Sequence, residues 1–155
     1  MKVEKICHLH AYTTRNVDAV ARLFAELFGM KTDVCELKDW GINNGLRTCV
    51  VRPEGSPAFL EFLQPIDPNG EASKALNDRP EGLLFVSVKV PDIREAIAEM
   101  ESRGIKLTYL WDGGEVKQAW FDPKNTFGVG IELGEYPWEH LPFEQTIAAH
   151  RKISA

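Results

Sequence analysis

The stretch that decides the fold is Trp120-Phe121-Asp122-Pro123-Lys124-Asn125-Thr126-Phe127-Gly128-Val129-Gly130-Ile131-Glu132-Leu133. It reads as strand, tight turn, strand, with Pro123, Asn125 and Gly128 supplying the turn dihedrals. Side chains alternate along a strand, so Glu132 faces opposite to Ile131 and Leu133. With those two on the packed side, the carboxylate looks into whatever the other face of the sheet encloses. There it is either a solvated acid or a metal ligand or catalytic base.

Working outward, the same arrangement occurs earlier, at Leu60-Glu61. Before it lies an alternating run over residues 3–12, with Cys7, Leu9 and Ala11 on one face and His8 and His10 on the other. Asn16 is placed as an N-cap. Val17, Val20, Ala21, Phe24, Leu27 and Phe28 then recur at helical spacing, and Gly29 ends the helix. Strands follow over 31–38, 45–52 and 57–64, separated by turns at 41–45 and 53–57. Residues 65–81, rich in Pro, Asn, Asp and Gly, form a linker with a short helix over 71–76.

The order then restarts. Residues 84–90 read as a strand with Phe85, Ser87 and Lys89 on one face. Asp92 to Glu95 is a capping box. Ile93, Ala96, Ile97 and Met100 make the helical stripe, which Gly104 ends. Strands follow over 106–111, 116–122 and 128–134. Asn16-Val17 overlays on Asp92-Ile93, Gly29-Met30-Lys31 on Gly104-Ile105-Lys106, and Leu60-Glu61 on Ile131-Glu132. The expected fold class is α+β: two paired βαβββ modules forming a shared open cleft. One helix cannot cover a module's sheet, and pairing leaves concave sheet surfaces facing that cleft. The expected organisation is a single domain over 1–155, with module one at 3–64, the linker at 65–81, module two at 82–134 and a tail at 135–155. The tail suggests a helix over 143–152, with Trp138 and Phe143 docked on the body.

Composition narrows the partners. Of 155 residues, 44% are hydrophobic and 26% charged, with a net charge of −5. There is no basic run for nucleic acid, no apolar span for a membrane, and no signal-peptide core at the start. Cys7, Cys35 and Cys49 are odd in number and scattered, which suits reduced core thiols and a cytoplasmic location. The expected partner is a small-molecule substrate, and a homodimer is left open.

These residues resemble the vicinal oxygen chelate (glyoxalase/bleomycin resistance/dioxygenase) superfamily, and within it the methylmalonyl-CoA epimerase-like proteins. Ile6-Cys7-His8-Leu9 resembles the opening I-D-H-V, and Leu60-Glu61-Phe62-Leu63-Gln64-Pro65 resembles V-E-L-L-E-P. Glu81-Gly82-Leu83 resembles G-E-G, and 122–133 resembles H-P-K-S-T-G-G-V-L-I-E-L. The similarity covers residues 3–134. It implies metal ligands at the positions of His8, Glu61, Phe85 and Glu132. Phe85 stands where the family carries a histidine, so the implied set is His8, Glu61 and Glu132. His10, two residues from His8 on the same face, is either a compensating ligand, a long reach at about 6.5–7 Å along the strand, or a pocket or supporting residue.

In the loop before the third strand, Ile42-Asn43-Asn44-Gly45 replaces the family's P-E-Q-G. Asn43 hydrogen-bonds an enolate oxygen but takes no proton. The substrate pocket is thus assigned to His10, Asn43, Phe85 and Trp120, and catalysis to Glu132 and Glu61. The implied cofactor is a divalent metal (Zn, Fe, Co, Mn or Ni), weakly held or absent. The implied function is a lyase or isomerase of glyoxalase or epimerase type. It would stabilise an enolate-type intermediate of a small carbonyl, acid or acyl-thioester substrate. Three alternatives stand beside it: a metal-free ligand-binding protein of the resistance type, with Trp40 or Trp111 adding stacking surface, a non-haem iron oxygenase, or a dimeric scaffold with an inert cleft.

Overall fold

The computed structural model describes residues 2–12, 15–37, 45–78 and 80–140, with side chains omitted at 7–12, 37, 71, 72 and 75. The fold is mixed α+β. Its elements run β1 (Lys5–Tyr12), α1 (Val17–Phe28), β2 (Lys31–Leu37), β3 (Leu46–Arg52), β4 (Leu60–Pro65), α2 (Glu71–Asp78), β5 (Gly82–Lys89), α3 (Ile93–Ser102), β6 (Leu107–Asp112), β7 (Lys117–Phe121) and β8 (Gly130–Glu135). The succession β-α-β-β-β occurs twice, with α2 in the linker. The expected tail helix over 143–152, Phe143, Trp40 and Asn43 lie outside the described residues.

The contacts divide the chain into two compact units. One holds residues 10–82, the other residues 2–9 with 83–140.

In the 10–82 unit, Asn16 caps α1 by accepting from Ala19 N at 3.0 Å. Gly29, at φ 62°, turns the chain out of the helix. There the Gly29 amide donates to Ala25 O and the Met30 amide to Phe24 O. A left-handed residue at this point satisfies carbonyls that the helix itself cannot. The stripe on α1 packs Val17, Ala21 and Phe24 onto Val34, Cys49, Val51, Leu60 and Phe62. Strands β2, β3 and β4 pair antiparallel in that order, with Val34 opposite Cys49, and Cys49 opposite Phe62. Burial pushes the Cys49 thiol up to about 12, so it is an uncharged packing group. Strand β4 begins three residues later than the sequence pattern predicts. Ser56 is the reason: its hydroxyl donates to Ala58 O and accepts from Ala58 N, holding 56–58 as a turn.

In the other unit, Asp92 caps α3 by accepting from Arg94 N and Glu95 N, both at 2.9 Å. Gly104, at φ 82°, follows its last turn. The strand order is the start of β1, then β5, β8, β7 and β6. Strand β5 runs parallel to β8, and the other described pairs are antiparallel. Ile93, Ala96 and Met100 of α3 bury against Ala119, Phe121 and Leu133. At about 25 cal/mol per Å² of apolar area, these fully enclosed side chains are the main stabilising term of the unit. The link from β7 to β8 is longer than a tight turn. Pro123–Asn125 forms a 3₁₀ turn capped by Asp122, and the Gly128 amide donates back to Pro123 O at 2.9 Å.

Candidate functional site

Packing decides where Glu132 points. Leu133 is fully buried and Ile131 partly so, both against α3, which turns Glu132 to the opposite face of the sheet. Glu132 is itself 0% exposed. Register then supplies its partners. Directly across on β5 stands Ser87, and directly across on β7 stands Trp120. The Ser87 hydroxyl donates to Glu132 Oε1 at 2.6 Å. The Trp120 indole N–H donates to Glu132 Oε2. Hydrogen bonds to a charged group are worth about 1.5–3 kcal/mol each, which offsets part of the cost of burying a carboxylate. The Trp120 ring is held in turn by Tyr109 on β6, stacked at 4.9 Å between centroids and 17° between planes.

Two residues along the strands, on the same face, Phe85 stands opposite Gly130. A Cβ on residue 130 would lie 2.3 Å from Phe85 Cδ1, so the ring rests directly on the glycine backbone. In the other direction the same face continues through Lys89, Gly134, Gln118 and Trp111. Lys89 pairs with Glu4 at 2.9 Å and lies over the Tyr136 ring, 5.1 Å from its centroid.

Glu61, in the 10–82 unit, has the matching setting. Leu60 and Phe62 join the core under α1, and Glu61 is 2% exposed on the other face. Its register partner is Val50, and its Oε1 accepts from the Thr48 hydroxyl at 2.8 Å.

The structure thus joins Glu132 with Trp120, and places Phe85 on the adjoining strand of the same face. His8 and His10 fall on β1, with side chains outside the described residues, as does Asn43 altogether. Among the described residues no three His, Cys, Asp or Glu side chains cluster as a metal site. The donor chemistry still fits a hard or borderline divalent metal. A ligating carboxylate needs donors that orient it and a lone pair left over, and a carboxylate oxygen accepting one hydrogen bond retains another. Thr48, Ser87, Tyr109 and Gln118 were not singled out from sequence as site residues. Alternation places Ser87 on the face of Phe85, but only the strand register reveals which side chains meet.

A family model described as the Glyoxalase/Bleomycin resistance protein/Dioxygenase superfamily matches residues 8–121. Among solved structures, a methylmalonyl-CoA epimerase from Mycobacterium tuberculosis aligns with a TM-score of 0.67 and 24% identity over 88% of this chain and 91% of that one. A Streptomyces coelicolor methylmalonyl-CoA epimerase variant in complex with 2-nitronate-propionyl-CoA gives a TM-score of 0.71 and 17% identity, covering 88% and 100%. A hypothetical protein from Bacillus halodurans gives 0.69 and 18%, covering 88% and 97%. At these identities the likeness is one of fold. No curated protein sequence matches the chain.

Proposed function

The chain belongs to the glyoxalase/bleomycin resistance protein/dioxygenase superfamily, and from that premise we propose that it is an enzyme moving a proton at the carbon next to a carbonyl. Its substrate class is a small carbonyl compound, acid or acyl thioester, the last in keeping with the epimerases of like fold. The observation that carries this reading is the fully buried Glu132 carboxylate, held by the Ser87 hydroxyl and the Trp120 indole.

His8, Glu61 and Glu132 are the proposed ligands of a divalent metal. When bound, that metal supplies Lewis acidity, polarising the substrate carbonyl so that its α C–H becomes acidic. Glu132, with Glu61 as its counterpart, takes the α-proton and returns it. The C–H bond breaks, its electron pair moves onto the carbonyl oxygen as an enolate, and the proton goes to a carboxylate oxygen. Which oxygen follows from the partners. The Ser87 hydroxyl can reverse from donor to acceptor, whereas an indole N–H only donates. The proton therefore resides on Oε1, and Trp120 keeps Oε2 unprotonated.

A specific observation supports a second reading, a metal-free binder of flat or apolar ligands. The Phe85 ring lies on Gly130, at the position of a family histidine, and the Tyr109–Trp120 stack lies on the same face of the sheet. The test combines two measurements. Protein purified without chelator is analysed for metal, before and after supplying Zn²⁺, Mn²⁺, Co²⁺, Ni²⁺ or anaerobic Fe²⁺. Each form is then incubated in D₂O with propionyl-CoA, methylmalonyl-CoA and lactoyl-CoA, and α-deuterium uptake is followed by NMR. Metal uptake with exchange above the background rate is expected. Absence of both would hand the site to the binding reading.

A further inference from the structure

Gln118 is 4% exposed, and its Oε1 is a buried acceptor with no hydrogen-bond partner among the described residues. Buried amides almost always have partners, because the water lost on folding is otherwise not replaced. Gln118 lies on β7 two residues before Trp120, on the same face, and its register partner on β8 is Gly134, two residues after Glu132. Gln118 and Glu132 are therefore diagonal neighbours, about 7–8 Å apart along that face. The partner on the β6 side is Trp111, which packs with Val116, Tyr136 and Trp138. An unmet polar group thus sits between an aromatic cluster and the carboxylate assigned to catalysis. Gly134, opposite it, has no side chain to fill the need, and the Tyr136 ring lies 3.3 Å from where a Cβ on residue 134 would stand.

We propose that Gln118 is a specificity-determining residue: it recognises a hydroxyl group on the substrate, borne on the α-carbon from which Glu132 takes its proton or on the carbon next to it. The inference rests on the reading of Glu132 given above and narrows its substrate class to hydroxylated acyl thioesters or hydroxy ketones. A hydroxyl suits the site whichever way the amide is turned, since it donates to Oε1 and accepts from Nε2. A substrate lacking the hydroxyl leaves the amide unpaired in the complex, and sites built to meet a hydroxyl discriminate strongly against analogues without one.

The probes are lactoyl-CoA and its methyl ether, 2-methoxypropionyl-CoA, titrated calorimetrically against metal-supplemented wild type and Gln118→Leu. The wild type should bind the hydroxy compound at least tenfold more tightly than the ether, and Gln118→Leu should bind the two within threefold of each other. A second readout needs no ligand. Leu is close to Gln in size and removes the unpaired amide, so the ligand-free variant should melt at the wild-type temperature or above it. A variant that melts lower shows that the amide serves the fold, and overturns the assignment. Equal binding of the two probes by the wild type overturns it as well, leaving the proton-transfer reading intact if deuterium uptake into any of the three thioesters is seen. Failure of both binding and deuterium uptake overturns the two readings together.

Discussion

In residues 10–82 the first amide of α1, at Val17, donates to Gln64 Oε1 at 2.9 Å. In the other unit the first amide of α3, at Ile93, donates to Glu135 Oε2 at 2.8 Å. Gln64 and Glu135 each stand three residues after the buried glutamate of their strand, so the two copies fasten helix to sheet at matching positions. The charges around that bond are arranged oppositely. Arg47, the β3 partner of Gln64, reaches Asp18 on the helix with both guanidinium nitrogens, at 2.8 and 2.9 Å. Lys117, the β7 partner of Glu135, pairs with Glu135 on the strand, and the helix position matching Asp18 is Arg94.

The glutamates differ in the same way. Across from Glu61 is Val50, and across from Glu132 is Trp120. Backbone geometry has been kept between the copies while the side chains around it have diverged. The 83–140 unit has gained an indole donor, an aromatic stack and an unmet amide around its acid. If the chemistry is unequal between the two acids, it should fall more heavily on Glu132.

Replacing each glutamate in turn tests that inequality, and the largest effect is expected here. Glu132→Gln keeps the shape and removes the proton acceptor. Positioned acid–base groups contribute about 10²–10⁴-fold, so α-deuterium uptake should fall by at least about 10². Glu61→Gln should lower it by about tenfold less. Equal losses in the two variants would mean that the added donors around Glu132 have no functional counterpart.

Phe85→His sharpens the comparison from the other side, by restoring the residue type the family pattern carries there. The ring on Gly130 is lost, which should cost about 1–3 kcal/mol in the metal-free protein. Metal affinity should rise about tenfold, equivalent to about 1.4 kcal/mol. Titration of wild type and variant with Zn²⁺, each alongside a melting curve, reads both quantities. A variant that melts lower and binds metal no better would remove Phe85 from the ligand ring, and with it the main argument for His8, Glu61 and Glu132.

The architecture was legible because it is written in short-range patterns. The Asn16 and Asp92 caps, the glycines at 29 and 104, and the alternation around Glu61 and Glu132 all act within a few residues, and the duplication shows each of them twice. The orientation of the two glutamates follows from Leu60, Phe62, Ile131 and Leu133 seeking the core. What surrounds the carboxylates depends on which residues of separate strands meet, and a shift of one residue would exchange every partner. Thr48 and Ser87 therefore read from sequence as ordinary strand residues. Gln118 gave no signal at all, because an unmet hydrogen bond exists only once the neighbours are fixed.

The smallest effect concerns the two charge arrangements at the helix starts, and it separates them by pH. The Arg47 guanidinium, which hydrogen-bonds Asp18, holds that carboxyl below its ordinary range, against the opposing effect of burial and with help from the charges of Arg47 and Arg22. Its stabilising contribution is present above the unfolded value, about 3.9, and is lost as pH falls through the lower folded value. Lys117 is shifted the other way, held above its ordinary range chiefly by the hydrogen bond to Glu135. Its contribution is complete below the unfolded value, about 10.4, and is lost as pH rises through the folded one. The α1 attachment should thus weaken in acid through Asp18, and the α3 attachment in base through Lys117. In urea unfolding across pH, Asp18→Asn should therefore show a flatter acid limb than wild type, and Lys117→Met a flatter alkaline limb. Cys49, pushed up to about 12 by burial, also lowers stability in base. It does so equally in wild type and Lys117→Met, so their difference isolates the lysine. The Asp18–Arg47 pair is exposed and the Lys117–Glu135 pair half-buried, so 1 M NaCl should shrink both differences, the first more than the second. An Asp18→Asn acid limb parallel to wild type would show that Gln64 fastens α1 without help from charge, and that the two copies differ in sequence but not in how their helices are held.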